Sequence, residues 1–279
     1  MSVEKVISAA DVKKLRDMTG SGMMDCRQAL SEAEGDFEKA IELLRKKGQK
    51  LSVKRADREA KEGCVLALVS DDHKRGIIVR LSCETDFVSK NEEFVALTRQ
   101  FANIALENFP ADLEALLALP FDGITVGEKV TEQVGVIGEK VELSAYEKLE
   151  AEQVAPYIHM GHKAGVLVGL SKSDAAFYDA GRDIAMQVAA MKPVALDKDD
   201  VDPSIIQKEI EIGKEQARNE GKPEEMLERI ATGKLNKFYQ ESTLLNQQFV
   251  KDGSMTVASY LKSIDKELTA TGFRHVALG

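Results

Sequence analysis

The sequence predicts an α+β fold: a small helical module, then a core with antiparallel strands whose strand-and-helix unit occurs twice, with a helical hairpin inserted. Three observations carry this. Apolar residues recur at spacings of three and four between glycine breaks in residues 5–48. Gly76-Ile-Ile-Val-Arg-Leu-Ser82 returns almost residue for residue as Gly165-Val-Leu-Val-Gly-Leu-Ser171. Two further helical patterns meet at the turn Glu220-Gly221-Lys222-Pro223. The expected divisions are the module at 1–50, a basic linker at 51–62, a first half-core at 63–146, a second half-core at 147–200 with 241–279, and the hairpin at 201–240.

In the module, Ser8 followed three residues later by Asp11 has the form of a helix N-cap with an acidic first turn. Val12, Leu15 and Met18 then share one helical face, and Thr19-Gly20-Ser21-Gly22 breaks the helix. A second helix is expected from Met23 to Ala33. Asp36 can cap a third, with Phe37, Ala40, Ile41 and Leu44 on its apolar face and Gly48 as its stop. Met23 and Met24 are adjacent, so only one can enter a narrow core stripe, which leaves the other for the surface. Residues 45–61 are basic, opposed only by Asp57 and Glu59, and lack aromatic residues. That suits a solvated linker better than a nucleic-acid contact.

The core begins with a hairpin of Cys64–Val69 and Gly76–Leu81. A helix from Glu93 carries Phe94, Leu97 and Phe101 on one face and stops at Pro110, and a shorter one is expected from Asp112 to Leu119. Gly123 to Val141, rich in valine and glycine, reads as strand and loop. The second copy has its own helix, containing Phe177 and ending at Pro193. Strand positions differ by 89 between the copies and helix positions by 83, so the first copy holds six extra residues between strand and helix. They fall at Thr85-Asp86-Phe87-Val88. Since the core needs only the short connection, the longer one has another purpose. Phe87 is a large apolar residue in a polar turn: either a lid folded back on the core or a wedge for a partner. After the acidic break Asp197-Lys-Asp-Asp200, two helices of narrow apolar seam form a hairpin, read as a coiled-coil arm. A helix around Thr256–Leu261, finished by Leu268, and a strand at Gly272–Leu278 complete the second half-core.

Composition excludes several classes of function. The chain has 279 residues and a net charge of −9, a poor balance for wrapping nucleic acid. Cys26, Cys64 and Cys83 are odd in number and hold no Cys-x-x-Cys, as expected of reduced thiols in a cytoplasmic protein. No apolar run has the length of a membrane span, and residues 1–5 open no signal peptide. There is no Gly-x-x-x-x-Gly-Lys-Ser/Thr, no His-Glu-x-x-His and no Gly-x-Ser-x-Gly. Gly135-Val-Ile-Gly138-Glu-Lys140 reads as a turn. His159 and His162 flank Met160-Gly161, a loop, so a solvated or hydrogen-bonded pair is expected there in place of a metal site. No nucleophile, base and oxyanion donors assemble, so a binding protein is expected: no enzyme, no cofactor, no metal.

Taken together, the motifs resemble the elongation factor Ts family, the guanine-nucleotide exchange factors of the translational GTPase EF-Tu. The resemblance rests on Leu15-Arg16-Asp-Met-Thr19-Gly-Ser-Gly22-Met-Met-Asp-Cys26 with Gly35-Asp36, on Thr85-Asp86-Phe87-Val88, on Tyr157-Ile158-His159 before Gly165-Val-Leu-Val168, and on the helical hairpin. It implies that residues 1–50 are a ubiquitin-associated-like three-helix module that docks on the G domain of EF-Tu, with Arg16, Met23 and Met24 as contacts. It implies that Asp86 and Phe87, within Thr85–Val88, enter near the partner's magnesium site and disturb the groups that hold the ion. His159 matches a second core contact, Val250 lies in a touching segment, and the hairpin matches the family's coiled-coil motif. The partner is then EF-Tu, GDP-bound or nucleotide-free, with no direct nucleotide binding, no membrane and no nucleic acid. The alternative is an adaptor that uses the three-helix module to hold a different partner. Three departures stand out. The chain ends shortly after its last strand, without the C-terminal helical module of some relatives. His162-Lys163-Ala164 differs from the small-Arg-Ile usual there, and Lys251 replaces an apolar residue beside Val250.

Overall fold

The computed structural model describes residues 7–279; residues 1–5, on which the expectation of no signal peptide falls, lie outside the described residues. The fold is mixed α and β. It separates into two compact units, one of Met1–Leu66, Val79–Glu147 and Ala277–Gly279, the other of Ala67–Ile78 and Lys148–Val276.

The chain opens with α1 (Ala9–Thr19), α2 (Met23–Glu32) and α3 (Phe37–Arg55). Ser8 and Asp11 form a reciprocal capping box at the start of α1, and Gly20 ends it in the left-handed conformation at φ 71°. The Asp36 side chain accepts from the Lys39 N–H to start α3. Val12, Leu15, Cys26, Ala29, Leu30, Ala33 and Ala40 make a core within these helices. Neither Met23 nor Met24 enters it, being 45% and 74% exposed, which corrects the expectation that one of them is core. Cys26, Ala29 and Leu30 already build the buried face of α2, and the two methionines stand in its first turn, beyond that face.

The strands β1 (Glu62–Val69) and β2 (Arg75–Cys83) follow, then the four-residue helix α4 (Asp86–Ser89), α5 (Glu92–Asn108) and α6 (Leu113–Leu117). A small antiparallel hairpin joins β3 (Pro120–Phe121) to β4 (Ile124–Thr125). Val126–Ile137 is a helix, α7, where strand and loop are expected. Val126, Val130 and Val134 share its buried face at helical spacing, and Thr125 with Glu128 supplies a capping box. Spacing and capping here override the strand preference of valine. Strand β5 (Val141–Glu150) completes a sheet of order β1-β2-β5.

Gly48 is not a stop, because α3 runs on to Arg55. The glycine is buried and faces Gly135 of α7: a Cβ on Gly135 would stand 2.9 Å from the Gly48 Cα, and one on Gly48 would stand 3.1 Å from the Thr131 carbonyl oxygen. The absence of side chains at this crossing lets two helix backbones touch.

The second unit contains β6 (Gln153–His159), a strand the sequence reading leaves unassigned, paired antiparallel with β7 (Ala164–Leu170) from Gln153↔Leu170 to His159↔Ala164. Next come α8 (Tyr178–Met191), α9 (Pro203–Asn219) and α10 (Leu227–Ser242). The pair β8 (Gln248–Phe249) and β9 (Asp252–Thr256), the helix α11 (Val257–Ile264) and β10 (Ala270–Ala277) end the chain. Helix α11 ends at Ile264, four residues before the expected Leu268, and the backbone of Asp265 after it is extended. The second sheet has the order β10-β7-β6, so β7 is its middle strand, as β2 is of the first. Along α9 and α10 the buried residues are small or few: Gly213, Ala217, Leu227 and Ala231. Ion pairs tie the two helices together, Lys214–Glu228 at 2.6 Å and Lys234–Glu220 at 3.8 Å.

Helices α5 and α8 end alike. Phe109 (φ 46°, ψ 53°) and Lys192 (φ 46°, ψ 56°) each take the left-handed conformation. Each donates its N–H back to the fourth preceding carbonyl, of Ala105 and Val188, and each precedes a proline. Neither residue type favours that conformation.

Candidate functional site

Phe87 stands on α4 with 85% of its surface exposed, the most exposed of the large apolar residues described. The lid reading fails with that observation. The chain around it is held closely. The Glu139 carboxylate accepts from the Thr85 N–H at 3.0 Å, the Glu84 N–H at 3.1 Å and the Thr85 hydroxyl at 2.7 Å. In return the Glu84 carboxylate accepts from the Lys140 N–H at 2.6 Å and from the Arg55 guanidinium at 2.6 Å. The Lys140 ammonium donates to the carbonyls of Ala56 and Arg58, both at 3.0 Å. The end of β2, the end of α3 and the chain just after α7 are therefore joined immediately before Phe87.

These contacts have electrostatic consequences. The Lys140 N–H, with Arg55 beside it, holds the Glu84 carboxyl below its ordinary value. Burial, reinforced by the nearby Glu139 charge, pushes the Cys83 thiol up to about 12. Its Sγ donates to the Thr85 carbonyl at 3.2 Å, so this cysteine also packs beneath the tip. On α4 itself, the Lys90 ammonium bonds the Asp86 carboxylate at 2.6 Å and keeps it ionised below the ordinary carboxylate range. Ser89 Oγ donates to the Asp86 carbonyl, and Asn91 caps α5 through the Glu93 N–H. Thr85, Asp86, Phe87 and Val88 thus form one short, braced projection whose end is an exposed aromatic ring beside a carboxylate.

The other expected residues lie on separate elements. Arg16 is exposed on α1, and Met23 and Met24 open α2. Met18, at 56% exposure, adds a third exposed methionine near the Gly20–Gly22 break that the sequence reading assigns to the core face. His159 ends β6, with Nδ1 3.0 Å from the Tyr157 hydroxyl. The turn beyond it holds Met160, Gly161 and His162 at φ 46°, 63° and 72°, so of the divergent His162-Lys163-Ala164 the histidine stands in a tight left-handed turn and Ala164 already begins β7. Val250 is 47% exposed and donates its N–H to Gln187 Oε1 at 2.8 Å. The fully buried Gln187 also donates to Gln247 Oε1 and to the Gln248 carbonyl. Lys251 makes an ion pair with Asp183 of α8 at 2.6 Å, fastening the segment that carries Val250.

The sequence reading names the projecting residues and misses those that hold them: Glu139, Glu84, Lys140 and Arg55 for Phe87, and Gln187 for Val250. One signal exists. Gly138 is the left-handed cap of α7 at φ 81°, and the carboxylate directly after it is the clamp. Among the described residues no group of three His, Cys, Asp or Glu side chains is placed to hold a metal ion, and no helix is long and apolar enough to cross a membrane. What the arrangement can do is mechanical and electrostatic: it presents an apolar ring and a carboxylate at the end of a braced projection, with exposed methionines and a half-exposed Val250 on other elements.

Comparison with known proteins is consistent across nearly the whole chain. The family model for elongation factor TS matches residues 84–279. The elongation factor Ts of Christiangramia forsetii is 53% identical over 98% of this chain and 99% of its own length. That of Cytophaga hutchinsonii is 54% identical over 98% and 99%, and that of Flavobacterium psychrophilum 52% over the same shares.

Proposed function

This chain belongs to the elongation factor Ts family, and on that premise we propose how it acts as the guanine-nucleotide exchange factor of EF-Tu. It makes and breaks no covalent bond. It binds EF-Tu carrying GDP, and the Asp86–Phe87 tip disturbs the groups around the magnesium ion so that GDP leaves. The observation that carries this reading is Phe87, 85% exposed yet mounted on a braced helix.

Magnitudes decide how the work is divided. A nucleotide held at nanomolar affinity is bound by about 12 kcal/mol. Burying one Phe contributes only ~1.5–3 kcal/mol. The tip alone cannot expel the nucleotide. Arg16, Met23 and Met24 on the helical module, together with His159 and Val250, supply affinity, and the tip directs part of it against the magnesium site. Factor and nucleotide then weaken each other reciprocally, so entering GTP displaces the factor.

The finer architecture fits the same reading. The first three helices serve as a ubiquitin-associated-like docking module. The core is a pseudo-duplication, supported by the middle positions of β2 and β7 and by the matching left-handed caps at Phe109 and Lys192. The longer connection of the first copy is where the tip stands. The α9–α10 hairpin, with its seam of Gly213, Ala217, Leu227 and Ala231, is a coiled-coil insertion.

The test is stopped-flow release of a fluorescent GDP analogue from EF-Tu. Phe87→Ala is expected to lower the maximal rate by about tenfold or more while EF-Tu binding stays measurable. An unchanged maximal rate would refute the wedge.

A further inference from the structure

We propose that Glu139 is a positioning residue for exchange: its carboxylate sets the attitude of the Asp86–Phe87 tip, and the Glu84–Arg55 pair steadies the strand end from the other side. The inference rests on the reading of Phe87 given above and extends it to the residues that hold the tip from behind.

The geometry is specific. Thr85 is the N-cap of α4, yet its side chain makes no capping bond to that helix. Its hydroxyl donates instead to Glu139 Oε1, while both backbone N–H groups at the approach to α4 donate to Oε2. A helix of four residues has too few internal bonds to fix its own direction. Three bonds to one carboxylate, from its N-cap Thr85 and from Glu84 before it, therefore determine where it points. Glu139 is set in turn, because α7 ends at the left-handed Gly138 immediately before it. Glu84 closes the arrangement from the other side, bound by the Lys140 N–H and by Arg55, the last residue of α3. The helix that carries the docking module therefore ends on the strand end that carries the tip.

Removing the Glu139 carboxylate leaves two backbone donors and a hydroxyl without that acceptor. The tip then samples directions, and fewer encounters carry Phe87 into place. Such a loss acts on the maximal rate and requires Phe87 to be present, which separates positioning from general destabilisation.

Four variants test this: Glu139→Ala, Glu139→Gln, Thr85→Val and the double Glu139→Ala/Phe87→Ala, each measured by fluorescent GDP release at saturating factor and by thermal unfolding. Glu139→Ala is expected to lower the maximal rate about tenfold, at a half-saturating concentration within about twofold of the parent's. Glu139→Gln, whose carbonyl oxygen can still accept both backbone N–H groups, should restore most of that rate. Thr85→Val, which removes one bond without opening a cavity, should show the same effect at smaller size. In the double variant the rate should match Phe87→Ala alone, because a misdirected tip without its ring has nothing further to lose. A double variant slower by the product of the two single losses would overturn the proposal. So would Glu139→Ala or Thr85→Val at the parent rate while Phe87→Ala is slow. If Phe87→Ala itself exchanges at the parent rate, the wedge reading falls, a result distinct from failure of the clamp.

Discussion

Replacing Gly135 by alanine sets two known effects against each other. Alanine is the better helix former, by about 1 kcal/mol in a helix interior. The new methyl, however, would stand 2.9 Å from the Gly48 Cα and 3.4 Å from the Gly48 nitrogen, and both are backbone atoms that no rotamer change can move aside. Overpacking of this kind costs ~1–3 kcal/mol, and a rigid backbone partner puts the case in the upper part of that range. The net expectation is destabilisation by about 1–2 kcal/mol. Gly233 supplies the control within the same protein: it lies inside α10, and a Cβ there meets nothing within 4 Å. Gly233→Ala should therefore stabilise by roughly 0.4–1 kcal/mol. Guanidinium unfolding followed by circular dichroism compares the two variants with the parent. The prediction is opposite signs; displacement of both in the stabilising direction would refute the close crossing of α3 and α7.

Two further outcomes follow from side-chain exposure. Met24→Ala, which alters a residue 74% exposed, should leave the unfolding midpoint and the maximal exchange rate unchanged and raise the half-saturating concentration about fivefold or more, and a collapse of rate at saturating factor would show that the module does more than anchor. All three cysteines are buried, with burial the main cause lifting Cys26 upward, Cys64 to about 11 and Cys83 to about 12. The native protein at pH 8 should therefore resist Ellman's reagent and expose its thiols only in denaturant; rapid stoichiometric reaction of the native state would contradict the packing at these positions.

How far the sequence speaks depends on how far apart the cooperating residues lie. Ser8 with Asp11 and Asp36 with Lys39 act within one helical turn, and their capping chemistry is legible at sight. The repeat of Gly76–Ser82 at Gly165–Ser171 is likewise local, and it marks the two middle strands. Gly48 shows where reading stops. A glycine after an apolar helical run has the same local appearance whether it caps a helix or admits a neighbouring backbone, and only the presence of Gly135 distinguishes the two. The valines of α7 show a competition between strand preference and helical spacing, which the Thr125–Glu128 cap decides. Phe87 announces itself as an apolar residue among polar ones. Glu139, 54 positions beyond Thr85 in sequence and just past a helix end, looks like any solvated carboxylate until the fold brings the two together.

The bracing of α4 has a consequence in time. A disordered loop presents its recognition residues in the right shape in only a fraction of collisions, and the apparent affinity falls with that fraction. Here the projection stands ready in the free protein, its ring in water and its peptide groups bonded to Glu139, so each collision brings the same shape. The ordering has been completed during folding, long before any encounter. On the proposed reading, the factor then needs no ordering of its own before it engages its partner.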